Sequence, residues 1–147
     1  MCKMDVLMNT LPMDIVLHII PYTYQLQNKN LLDDIIDFTI SKTILFELYH
    51  KYWIIVMQYH DPNEDKYWLI NDIHAYANNY NATIYGYVDK FYDIFKRNRH
   101  LKTKEDIDNY ISNLEKKDVS SQINVFLGLL TKKERNDIIV EVPILNE

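Results

Sequence analysis

SKTILFELYHKYWIIVM, residues 41–57, sets Ile44, Leu45, Leu48, Tyr49, Tyr52, Trp53, Val56 and Met57 at steps of three and four. Apolar residues at that spacing fall on one side of a helix with 3.6 residues per turn. The stretch therefore predicts a helix whose apolar stripe is wide enough to lie at the centre of a core. It has to end by His60, because Asp61-Pro62-Asn63-Glu64-Asp65 is a polar turn containing a proline.

Working outward, the chain upstream carries two further helical patterns. Asn30 is a candidate cap for a segment with Leu31, Leu32, Ile35, Ile36 and Phe38 on one face and Asp33, Asp34 and Asp37 on the other. Before it, Pro12 stands where a first helical residue would be, and Ile15, Val16, Ile19 and Ile20 repeat until Pro21, which predicts a helix over about 12–20. Downstream, Tyr67, Ile70, Ile73, Tyr76 or Ala77, and Tyr80 make a fourth helix that stops in the Asn-rich 78–81. After an ambiguous 83–88, Val88, Phe91, Tyr92 and Phe95 make a fifth. Thr103-Lys104-Glu105-Asp106 and Thr131-Lys132-Lys133-Glu134 are capping boxes that open helices near 104–116 and 132–140, with a short apolar helix around Ile123, Phe126, Leu127, Leu129 and Leu130 between them.

With 2 Gly and 4 Pro in 147 residues, the chain lacks the punctuation of β-sandwiches and glycine-rich nucleotide loops. The expected fold is all-α, a single compact domain over 1–147 of about seven or eight helices. No run of about 18 apolar residues is present to span a membrane. The N-terminal residues have no secretory pattern, and the lone Cys2 fits a reducing compartment, so a cytoplasmic protein is expected.

Charge is uneven. Residues 1–95 hold 6 Lys and no Arg against 12 acids, and that acidity opposes binding to a polyanion. The exception is Lys96-Arg97-Asn98-Arg99-His100-Leu101-Lys102-Thr103-Lys104, where Lys96, Arg97, Arg99, Lys102 and Lys104 could hold phosphates. Equally, cations there suit the end of one helix and the loop after it.

Catalytic apparatus is not evident. His18, His50, His60, His74 and His100 are scattered without a metal-ligand spacing, one cysteine cannot build a thiolate zinc site, and neither glycine belongs to a phosphate-binding loop. The paired acids Asp33-Asp34 and Asp106 with Asp108 read as solvated helix faces. Neither catalytic residues, a metal nor a cofactor is expected.

Leu11-Pro12-Met13-Asp14-Ile15-Val16-Leu17-His18-Ile19-Ile20 resembles the opening of an F-box. Leu31-Leu32 resembles the pair that begins the second F-box helix, and Trp53 the tryptophan that closes the motif. LPMDIVLHIIPYTYQLQNKNLLDDI followed by Leu48–Trp53 is similar to small F-box-like proteins of amoeba-infecting giant viruses. Their AT-rich genomes would account for 19 Ile, 14 Asn, 13 Lys and 12 Tyr. The resemblance covers about residues 10–55. It implies a three-helix unit there, docking of Leu11, Pro12, Ile15 and Ile19 on a host cullin-ligase adaptor, and a target-recruiting surface within 60–147. It also implies residence in the host cytoplasm or the virion. Two other readings stay open: a structural or virion-associated helical protein with no ligase link, and a small nucleic-acid-associated factor using 96–104.

Overall fold

The computed structural model describes residues 12–15 and 29–142. The chain divides into two units, residues 1–33 and 34–147. In the first, residues 13–15 are helical and the Ile15 N–H donates to the Pro12 carbonyl at 3.1 Å, the opening turn that a proline-started helix requires. Residues 16–20 of the expected helix lie outside the described residues.

Helix α1 spans Lys29–Tyr49 and passes directly into a π-helical segment, His50–Val56. The two helices expected from Asn30 and from Ser41 are thus one. Nothing between Phe38 and Ser41 can stop it: there is no glycine or proline. The hydroxyls of Thr39 and Thr43 donate back to the carbonyls of Ile35 (3.0 Å) and Thr39 (2.9 Å), so these residues are satisfied inside the helix. In the π segment the Met57 N–H reaches the Tyr52 carbonyl at 2.8 Å. This widened winding accompanies the stacking of Trp53 on Trp68, with ring centroids 4.2 Å apart and planes 6° from parallel.

The remaining helices are α2 (Glu64–Ala77), α3 (Asp89–Phe95), α4 (Lys104–Leu114), α5 (Val119–Leu129) and α6 (Lys132–Glu141), with a 3₁₀ turn at Thr83–Tyr85. Among the described residues the observed class is all-α, with about seven helices. None of the described helices is long and apolar enough to cross a membrane. Both capping boxes are formed, Thr103 with Asp106 and Thr131 with Glu134, and Asp118 caps α5 through the Ser121 N–H.

Helix α2 is the hub of the second unit, packing against the π segment, α3, α5 and α6. Its Leu69, Ile70, Ile73, Tyr76 and Ala77 are buried, whereas Tyr67 and Tyr80, expected on the same stripe, are exposed. Phe91, Phe95 and Phe126 close round it in edge and stacked contacts 5.0–6.1 Å apart. Of the stripe that opened the sequence reading, Leu45 and Tyr49 are buried, but Ile44, Val56 and Met57 face solvent.

The orientation of α1 inverts the expected polarity. Asp34 and Asp37 turn toward Arg135 of α6, whose side chain is fully buried; Asp37 is largely covered, while the Asp34 side chain stays 48% exposed. Arg135 Nε donates to Asp37 at 2.9 Å and Nη2 pairs with the Asp34 carboxylate. Nη1 donates to the carbonyls of Leu127 and Leu130, both at 3.0 Å. Ser41 and Leu45 are buried on α1 beside these acids. A buried guanidinium without its carboxylates would carry a large desolvation penalty, so both acids must face Arg135. The isoleucines between them are then left outside.

Replacing Arg135 with Met should therefore destabilise the fold by about 3 kcal/mol, because two carboxylates and two α5 carbonyls lose their donor. Arg135→Lys should recover little of this, since one ammonium cannot serve all four acceptors. Chemical denaturation reads both. His74 supplies a pH test. Its ring packs 4.5 Å from Phe126, its Nε2 has no hydrogen-bond partner among the described residues, and burial pushes its pKa below the ordinary 6.5. The unfolded chain then takes up a proton that the folded one resists, so stability should fall as pH drops through 6.5. The slope between about pH 7 and 5 should flatten in His74→Leu.

Candidate interaction face and tyrosine cleft

Once Asp34, Asp37 and Ser41 point inward, helical geometry sends Ile35, Ile36, Ile40 and Ile44 outward. Ile36 is 57% exposed and Ile40 54%. Single exposed isoleucines are ordinary, but Ile36, Ile40 and Ile44, four residues apart, stand in one row of the helix as an apolar ridge, with Ile35 on another side. Among the residues expected to bind a partner, Pro12 and Ile15 are exposed, as is Met13, while Leu11 and Ile19 lie outside the described residues. The sequence pattern predicts Ile36 and Ile44 inward, Ile36 on the face of Leu31, Leu32 and Phe38 and Ile44 on the stripe of 41–57, and marks Ile40 in neither.

The basic cluster is brought together in sequence but largely engaged by acids. Arg97 holds Glu134 through two bonds, 2.6 and 2.8 Å, and also donates to the Leu129 carbonyl at 2.9 Å. It thereby ties the end of α3 to the end of α5 and the start of α6. The same guanidinium, helped by the Thr131 amide, holds the Glu134 carboxyl down at about 2. Lys104 lies 3.4 Å from Asp89 and 4.9 Å over the Tyr92 ring, and Lys96 is 4.0 Å from Asp93. Arg99 and Lys102 make no ion pair with the described residues.

A cleft of about 210 Å³ opens where the end of α2 meets the end of α6. Tyr49, Tyr76, Ile138 and Val142 form its buried floor, and Asp72, Tyr80 and Glu141 its exposed rim. The Tyr49 hydroxyl donates to Asp72 at 2.5 Å, Tyr76 to Asp137 at 3.0 Å, and Tyr80 to Glu141. Burial, and then the hydrogen-bonded carboxylate, drive the Tyr49 and Tyr76 phenols well above their usual range, so both remain protonated donors. Tyr80 sits in the left-handed region at φ 59°, next to Asn79 at φ 52°. A bulky side chain is disfavoured there. The turn is held by the buried Asn78, whose amide donates to the carbonyls of Asn81 (2.8 Å) and Gly86 (3.3 Å) and accepts from the Val88 N–H (2.8 Å). Scattered over three segments, the cleft residues left only one local signal, the Asn-rich turn after α2.

Among the described residues no group of three or more His, Cys, Asp or Glu is arranged to hold a metal ion. No family model, no curated protein and no solved structure matches the chain.

The division of labour within the basic cluster is open to measurement. Arg97→Ala should lower stability by about 1–2 kcal/mol, whereas Arg99→Ala and Lys102→Ala should stay within about 0.5 kcal/mol of wild type in a denaturant titration.

Proposed function

We propose that the protein is a non-enzymatic protein-interaction module that presents the outward isoleucines of α1 to an apolar face of a partner protein. The observation that supports this reading is the inversion of α1, with Asp34 and Asp37 turned to a buried Arg135 and Ile35, Ile36, Ile40 and Ile44 left in water. Fully covering an exposed aliphatic side chain is worth about 1.5–3 kcal/mol, and Ile36, Ile40 and Ile44, each partly exposed, would add a share of that at a partner interface. Exposed Pro12 and Ile15 offer further apolar contacts in the N-terminal unit. The F-box resemblance of residues 10–55 directs the choice of partner to a host cullin-ligase adaptor, met in the host cytoplasm.

Surface plasmon resonance against the purified adaptor is the test. The full chain should bind saturably, and the double change Ile36→Asp with Ile40→Asp should weaken binding by more than about tenfold while Arg99→Ala leaves it unchanged. Absence of binding, or binding indifferent to the double change, would remove the adaptor reading. A wild-type dimer that the same double change dissociates in sedimentation equilibrium would instead assign the ridge to a second copy of the chain and favour a structural role.

A further inference from the structure

The cleft between α2 and α6 has features that packing alone does not require. It is lined by three tyrosine rings and two carboxylates, Asp72 and Glu141, and among the described residues no Lys, Arg or His shares the lining. The acids stand on the exposed rim and the apolar surface forms the floor. A ligand matching that polarity carries positive charge at one end and a short hydrocarbon stem at the other. An anion is opposed by the rim. A bare metal ion is a poor fit, because the described acids provide no ligand cluster and the tyrosine hydroxyls are already donating to carboxylates. Tyr76 already carries one cation of the chain itself, since the Lys90 ammonium lies 3.8 Å over its ring and donates to its carbonyl at 2.8 Å. The left-handed backbone at Tyr80 adds a further mark. The chain holds an aromatic residue in a disfavoured conformation. There its hydroxyl meets Glu141 at the mouth of the cleft.

We infer that this cleft is a binding site for a protonated alkylamine, with the ammonium accepted by Asp72 and Glu141 at the rim and the stem laid on Tyr49, Tyr76, Ile138 and Val142. Each carboxylate engaged by a tyrosine hydroxyl keeps lone pairs for an ammonium N–H. The volume of about 210 Å³ suits a chain of a few carbons, the size of a small free amine or of one lysine side chain. This inference is independent of the α1 ridge.

The full-length chain, labelled for tyrosine ring resonances, is titrated with n-butylammonium, with the neutral isostere n-butanol, and with Nα-acetyl-lysine N-methylamide. The expected result is saturable movement of the Tyr49, Tyr76 and Tyr80 signals with n-butylammonium, and little with n-butanol. Glu141→Gln and Asp72→Asn should each weaken amine binding by about tenfold, the loss of one ammonium–carboxylate contact. Tyr80→Gly relieves the left-handed backbone, so its amide spectrum should remain folded while amine binding falls. Tighter binding of the lysine derivative assigns the ligand to a protein side chain, and weaker binding to a free amine; both support the site. Equal response to n-butanol, no movement of the three tyrosines at millimolar amine, or unchanged affinity in folded Glu141→Gln would overturn it.

Discussion

One buried charge organises this protein. Arg135 is fully enclosed, and all three of its guanidinium nitrogens are used, on Asp34 and Asp37 of α1 and on the carbonyls closing α5. An unpaired guanidinium in that position would be prohibitive, so Asp34 and Asp37 are committed to Arg135 and the rotation of α1 follows. Arg97 performs a related task on the other side of the α5 terminus, taking the Leu129 carbonyl and the Glu134 capping carboxylate together. Two arginines thus satisfy the carbonyls that the end of α5 cannot satisfy itself.

That arrangement explains which parts of the fold were legible in the sequence. Local chemistry reads well: the capping boxes at Thr103 and Thr131 form as their spacing requires, the proline turn at 61–65 separates α1 and its π extension from α2, and scarce glycine gives an all-helical chain. What failed is long-range. Asp34 and Asp37 meet a residue about a hundred positions away, and an amphipathic pattern of acids against isoleucines gives no hint that the acids are the inward face. One clue was present. In a chain with 13 Lys and only 3 Arg, an arginine marks a place where a planar, multiply donating group is needed. Two of the three, Arg97 and Arg135, do that work.

The candidate sites divide along the same line. Pro12 and Ile15 could be named from a local motif, whereas the ridge became visible only when the clamp fixed the rotation of α1. The tyrosine cleft joins Tyr49, Asp72, Tyr80 and Glu141 from three stretches of chain, each unremarked by itself because a tyrosine at helical spacing ordinarily packs its ring and wets its hydroxyl. Both features are built at a cost in stability, exposed isoleucine in one and left-handed tyrosine in the other.

The orientation of α1 is the claim on which the functional reading rests, and thiol accessibility measures it most directly. In a Cys2→Ser background, single cysteines are placed at Ile36, Ile40, Ser41 and Leu45, and their reaction with a small maleimide is timed under native conditions. The account requires fast labelling at 36 and 40, near the rate of an unfolded control, and strong protection at 41 and 45. Protection at 36 and 40 with fast labelling at 41 would mean that the isoleucines face the core and the acids face water, contradicting the structure's central interaction.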